Sequence, residues 1–109
     1  MSDASKLHFT ALAALGDVPE GAALARDLAG QSILICNYQG ALFAIENRCS
    51  HAEEPLACGR IRNGWIACPA HGARFDLETG EALTGPAEDA IATFPLRVVG
   101  DMVEVAVDG

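Results

Sequence analysis

Apolar and polar positions alternate most clearly at the end of the chain. Val103, Val105 and Val107 are separated by Glu104, Ala106 and Asp108, the period of two expected of a strand with one face buried. Ile91, Phe94, Leu96 and Val98 precede them, and Gly100-Asp101 supplies a turn. Residues 93–107 therefore predict a hairpin, paired with the N-terminal strands. Residues 7–14 predict an opening strand, and residues 16–21, with two glycines, Asp17 and Pro19, predict a turn region. The alanine-rich residues 22–28 form a second strand candidate, and residues 29–31 turn the chain. Residues 32–37 predict a third strand, Tyr38-Gln39-Gly40-Ala41 a hairpin turn, and residues 42–46 the returning partner. Short strands at such close spacing predict an all-β sandwich or barrel.

The periodicity lapses over residues 47–58, which are polar and irregular. Residues 60–62 predict a short strand, Asn63-Gly64 is a hairpin signal, and residues 65–67 return to deliver Cys68. Residues 74–77 predict another strand, closed by Glu78-Thr79-Gly80, and Gly85-Pro86 opens a loop rich in small and acidic residues. Trp65 and Phe43 read as core residues. No repeat, linker or low-complexity segment interrupts the chain, and 109 residues fit one domain.

Charge narrows the choice of partners. The chain carries 15 Asp and Glu against 7 Lys and Arg, a formal net charge of −8. Nothing basic is available to neutralise phosphates, so a nucleic-acid partner is not expected. Acidity fits a protein that docks on basic partner surfaces, and it equally serves solubility alone. No apolar run approaches the roughly 20 residues of a membrane helix, and residues 9–15 make a poor signal-peptide core. The expectation is a soluble cytoplasmic protein without a membrane partner.

The irregular middle holds the candidate chemistry. Cys49-x-His51 is followed, after residues 52–67, by Cys68-x-x-His71. Each pair offers one thiolate and one imidazole. Two cysteines and two histidines suit either one zinc ion or a [2Fe–2S] cluster. A common zinc finger takes both cysteines from one short pair and both histidines from another, whereas each pair here is mixed. In a two-iron cluster of the Rieske type, one iron takes two Cys and the other two His, a demand that two mixed loops satisfy.

The pattern resembles the Rieske family, whose signature is Cys-x-His followed at a distance by Cys-x-x-His. Cys68-Pro69, His71-Gly72 and Gly85-Pro86-Ala87 extend the resemblance to the family's second loop and to its proline loop. The resemblance implies a Rieske fold: an antiparallel β-sandwich or barrel base of about residues 1–46 and 88–109, with an inserted cluster-binding lobe of about residues 47–87. It implies one [2Fe–2S] cluster on Cys49, His51, Cys68 and His71, with the outer histidine nitrogens near where a partner docks. High-potential relatives carry an extra disulfide between the cluster loops and hydroxyl donors after the second one. Here the matching positions are Glu54 and Ala70 for the disulfide, and Ala73 and Phe75 for the hydroxyls. A potential near the low end of the Rieske range is therefore expected, about −150 mV. Cys36 reads as a buried free thiol, and a Cys36–Cys58 disulfide is not expected in a reducing compartment.

Three functional classes follow. The first is a one-electron carrier. Small soluble Rieske ferredoxins serve bacterial aromatic-ring-hydroxylating dioxygenases, so the resemblance implies a flavin-dependent ferredoxin reductase as donor and a terminal oxygenase as acceptor. Service to another oxidoreductase, such as a nitrite-reductase small-subunit role, stays open within that class. The second is a zinc-stapled interaction module without redox work, and the third is a redox sensor, for which no effector domain is evident. An oxygenase would need a further iron on two His and one carboxylate. Only His8, read as a surface or strand residue, remains for that site. No GxGxxG dinucleotide fingerprint is present. Glu53 and Glu54 read as a solvated loop face.

Overall fold

A computed structural model describes residues 8–50, 54–70, 72–84 and 89–107. Ten strands run through them: β1 (Phe9–Ala14), β2 (Ala23–Leu28), β3 (Gln31–Tyr38), β4 (Ala41–Glu46), β5 (Arg60–Arg62), β6 (Trp65–Ala67), β7 (Arg74–Asp76), β8 (Thr93–Phe94), β9 (Leu96–Val99) and β10 (Met102–Ala106). A single 3₁₀ turn, Leu15–Asp17, follows β1. Among the described residues, no helix is long and apolar enough to cross a membrane.

Two-residue turns set the register of three hairpins. Ala29-Gly30, Gln39-Gly40 and Asn63-Gly64 all take positive φ at both positions. Such turns carry the right-handed twist that flanking strands need. They join β2 to β3, β3 to β4 and β5 to β6 with Leu28 opposite Gln31, Tyr38 opposite Ala41 and Arg62 opposite Trp65.

The strands form three antiparallel sheets, ordered β1-β10-β9, β2-β3-β4-β8 and β5-β6-β7. The expected pairing of the C-terminal hairpin with the N-terminus holds for β10, which lies against β1. Its leading residues go elsewhere: β8 pairs with β4 in the second sheet. Pro95 stands between β8 and β9 and lacks a backbone donor, so the ladder breaks there and the chain changes sheets.

β3 is the middle of the molecule. Its run Ile33-Leu34-Ile35-Cys36 is fully buried, and alternate side chains point to opposite faces. Ile33 and Ile35 join Ala13, Val18, Ala44, Val103 and Val105 in one core, against the β1-β10-β9 sheet. Leu34 and Cys36 join Ile45, Leu56, Ile66, Phe75 and Leu77 in a second core, against the β5-β6-β7 sheet. A strand buried on both faces reads as a continuous apolar run, which is why period two is hidden there. Asn37 ends the run as a buried polar residue. Its amide donates to the Val18 carbonyl at 2.8 Å and accepts from the Gly40 N–H at 2.9 Å, so both ends of the group are satisfied.

Candidate metal centre

The first cysteine loop leaves β4 through Asn47, which fastens it. The Asn47 side chain donates to Ser32 Oγ at 3.0 Å and accepts from the Leu56 N–H at 2.8 Å. Its own N–H donates to the Ser32 carbonyl at 3.0 Å. One residue thus ties β3, the start of the loop and its far end together. Within the loop, the Cys49 N–H donates to the Glu54 carbonyl at 2.7 Å. Ser50 Oγ donates to the Asp89 carbonyl at 2.6 Å, holding the loop to the segment that approaches β8. Leu56 plugs the core behind it and is fully buried.

The second loop grows from the β6–β7 hairpin. The Cys68 N–H donates to the Ala73 carbonyl at 2.7 Å, and the Gly72 N–H donates back to the Cys68 carbonyl at 2.9 Å. Gly72 takes φ +77°, a left-handed turn that a side chain would disfavour. The segment after β7 returns alongside it. Phe75 bridges Ala82, and the Leu83 N–H donates to the Arg74 carbonyl at 2.8 Å. The chain is thereby led past the loop toward Gly85-Pro86.

Cys49 and Cys68 converge on one core. They are 0 % and 2 % exposed and both belong to the cluster that holds Ile66, Ala73 and Phe75. The four cysteines of the chain form no disulfide. Two buried thiols at the ends of two separately fastened loops fit a metal centre: as thiolates they need a cation to offset the cost of burying charge. His51 and His71 lie outside the described residues, as do Glu53 and the Gly85-Pro86-Ala87 motif. Among the described residues, no group of three or more His, Cys, Asp or Glu is placed to hold a metal ion. Two of the four expected ligands are not among them.

The other sequence candidates separate cleanly. Cys36 is a free, buried thiol, and burial pushes its pKa from the ordinary 9.0 up to about 12, so it stays protonated. Cys58 is a free thiol at the surface. His8 and Glu54 are exposed. Phe43 packs on the second core as expected. Trp65 does not: it stands half-buried on the outer face of β6, under the Arg74 guanidinium at 4.3 Å from the ring centroid. The Asn63-Gly64 turn fixes this, because Ile66 takes the inward position and Trp65 must point out. Asn47 carried no sequence signal beyond its place at the end of a strand.

The all-β architecture and the two cysteine loops define a class. The chain belongs to the Rieske [2Fe-2S] domain family, which matches residues 8–95, and its cofactor is one [2Fe–2S] cluster of Rieske type. Among curated relatives, it is 33% identical over 92 residues to the ferredoxin component of a naphthalene 1,2-dioxygenase system from Pseudomonas aeruginosa, covering 84% of this chain and 88% of that protein. It is 40% identical over 87 residues to the 3-phenylpropionate/cinnamic acid dioxygenase ferredoxin subunit of Escherichia coli, covering 79% and 81%. Among solved structures, the ferredoxin of carbazole 1,9a-dioxygenase from Nocardioides aromaticivorans superposes with a TM-score of 0.88 at 29% identity, over 92% of this chain and 98% of that one.

Proposed function

We propose that this chain is the ferredoxin component of an aromatic-ring-hydroxylating dioxygenase system. It takes single electrons from a flavin-dependent NAD(P)H ferredoxin reductase and passes them to a terminal oxygenase. It is an electron-transfer component and not an enzyme. The observation that carries the reading is the convergence of Cys49 and Cys68 in one core, within a Rieske-family chain similar to ferredoxins of naphthalene and phenylpropionate dioxygenase systems.

In this reading, Cys49 and Cys68 would hold one iron and His51 and His71 the other. The bound cluster supplies reversible one-electron chemistry. The protein supplies the rest. Cys49 and Cys68 lie in an apolar setting where water would not compete for the iron they would hold. Asn47 fastens the first loop to β3 and the Cys68–Ala73 hydrogen bond closes the second on itself, so each loop resists reorganisation when the charge changes. The lobe of about residues 47–87 carries the ligands, and the base of about residues 1–46 and 88–109 anchors it through β3 and β4. The free thiols of Cys36 and Cys58 suit the reducing cytoplasm, where we place the carrier.

Electron paramagnetic resonance of the dithionite-reduced protein tests this. Mixed Cys/His ligation gives a signal with a lower average g than an all-Cys cluster. Cys49→Ser, His51→Ala, Cys68→Ser and His71→Ala each abolish it. NADH-dependent product formation by a reductase and aromatic oxygenase pair then requires the added protein. A colourless, zinc-containing, EPR-silent protein overturns the assignment.

A further inference from the structure

The outer face of the β5-β6-β7 sheet carries charge of the opposite sign to the protein as a whole. Arg60, Arg62 and Arg74 line one groove of about 550 Å³, together with Trp65, Ala67 and Cys68. Register builds this groove. Arg60 pairs with Ala67, and Ala67 with Arg74, so two arginines flank a methyl group across three strands. In the next row, Arg62 pairs with Trp65, and Trp65 with Asp76. Residues two apart share a face. All six side chains therefore lie opposite the inward Ile66 and Phe75, and the small Ala67 leaves the hollow between them.

The remaining arginines are already engaged. Arg26 donates to the carbonyls of Leu12 and Ala25. Arg48 pairs with Glu46 at 3.1 Å and Arg97 with Glu104 at 2.7 Å. Arg60 and Arg62 have neither an ion pair nor a side-chain hydrogen bond among the described residues. Arg74 spends its guanidinium on the face of Trp65 and pairs with no carboxylate among them. Asp76, the acid on this face, is committed: its Oδ1 accepts the N–H groups of Glu78 and Thr79 at 2.8 and 3.0 Å, capping the turn after β7. The three arginines are exposed, and among the described residues the unpaired positive charge of this acidic chain is concentrated beside the Cys68 loop.

The geometry points to this groove as a docking face for a protein partner that presents a carboxylate-rich surface. Arginine forks suit carboxylates, which they bind with two parallel hydrogen bonds. Three guanidiniums over three strands and two register rows span roughly 10 by 7 Å. That area matches several side-chain carboxylates on a partner's surface and exceeds a single phosphate. A long polyphosphate such as nucleic acid would run beyond the groove onto the acidic surface around it, which repels it. An acidic partner face would meet the groove in one orientation only, because the rest of the surface repels it. Strand register and charge build this groove whether or not the chain carries electrons, so the docking face and the electron-carrier reading can fail separately.

The test is an NMR titration of the ¹⁵N-labelled holoprotein with hexaglutamate at low salt. Hexalysine and inorganic phosphate serve as comparison probes, and visible absorption confirms cluster loading. Hexaglutamate is expected to shift the Nε–H signals of Arg60, Arg62 and Arg74 and the indole N–H of Trp65. The signals of Arg48 and Arg97 stay still. Binding weakens about tenfold in the R60Q/R62Q/R74Q variant and fades as salt rises toward about 0.15 M. Each single Arg→Gln variant gives an intermediate loss, which keeps the result readable if the triple variant fails to load cluster. Shifts that are absent, or shared equally by Arg48 and Arg97, overturn the proposal. Tighter binding of phosphate than of hexaglutamate also overturns it, and makes the groove a small-anion site.

Discussion

Cys68 and Ala73 close the second cysteine loop on itself, the N–H of one donating to the carbonyl of the other at 2.7 Å. Ala73 is fully buried beside the thiol, and Phe75, two residues on, is buried with it. Neither has a hydroxyl to offer a cluster sulfur. Hydrogen bonds to sulfur favour the reduced, more negative cluster, so without them the expected potential is low, about −150 mV. Ala73→Ser restores one donor at a site where a small side chain already fits. A bond worth about 1 kcal/mol more to the reduced than to the oxidised state raises a one-electron potential by about 40 mV. Protein-film voltammetry of the two proteins measures the difference. A wild-type potential above zero, or no rise in the variant, would show that other neighbours set it.

Gly80 joins the β5-β6-β7 sheet to the segment that re-enters the second sheet. Its N–H donates to the Asp76 carbonyl at 2.8 Å and its carbonyl accepts from Ile91 at 2.9 Å. It is buried at φ +79°, and a Cβ there would run into the Ile91 carbonyl oxygen. Gly80→Ala therefore meets both backbone strain and a clash with rigid main chain. A loss of about 2–4 kcal/mol is expected, read as a lower urea midpoint at unchanged slope. Gly16→Ala, where nothing lies within 4 Å of the added methyl, is the matched control and stays within about 0.5 kcal/mol of wild type.

The two cysteines outside the candidate centre should behave oppositely toward a thiol reagent. Cys58 is exposed and Cys36 is buried, with its pKa pushed up to about 12 by burial. The native holoprotein should show one accessible thiol, and Cys58→Ser should remove it. Cys36 also sets a pH dependence. Its folded pKa of about 12 lies above its ordinary value of 9.0, so between those values the unfolded chain gives up a proton that the native state keeps. Stability from this group is complete below pH 9.0 and falls as pH rises toward about 12. In Cys36→Ala, urea midpoints measured across that window should fall less steeply than in wild type. Equal slopes would mean that Cys36 ionises without cost.

Much of this was legible in the sequence because the signals were local. Asn63-Gly64 places its own turn, and Val103 and Val105 alternate on a strand with one buried face. Harder to read was anything settled by a distant partner. β3 hides its period because both of its faces are buried, and only the three-layer arrangement shows that Ile33 and Leu34 serve different cores. Asn47 fastens the first loop through Ser32, whose place opposite it depends on the β3–β4 register. Trp65 looks like core by size, yet the turn before it turns its ring outward. The arginine groove was invisible for the same reason: Arg60, Arg62 and Arg74 are separated in sequence and meet through cross-strand pairing alone.

Removing the cluster should divide the molecule along its two cores. The core that joins the β1-β10-β9 sheet to β3 contains Ala13, Ile33, Ile35, Val103 and Val105, and neither cysteine of the centre. The other core includes both Cys49 and Cys68, and through it the β5-β6-β7 sheet is attached to β3 and β4. Strands of three residues, as β5, β6 and β7 are, are too short to hold a sheet together unaided. Loss of the metal also frees the two loops at whose ends Cys49 and Cys68 sit, and the binding energy of a structural metal is folding energy. In apo-protein made by chelation, amides of β5–β7 should lose hydrogen-exchange protection while those of β1, β3 and β10 keep it. Equal loss in both regions would make the protein one cooperative unit. Full protection of β5–β7 would mean that Leu56, Ile66 and Phe75 pack well enough to hold the lobe without its metal.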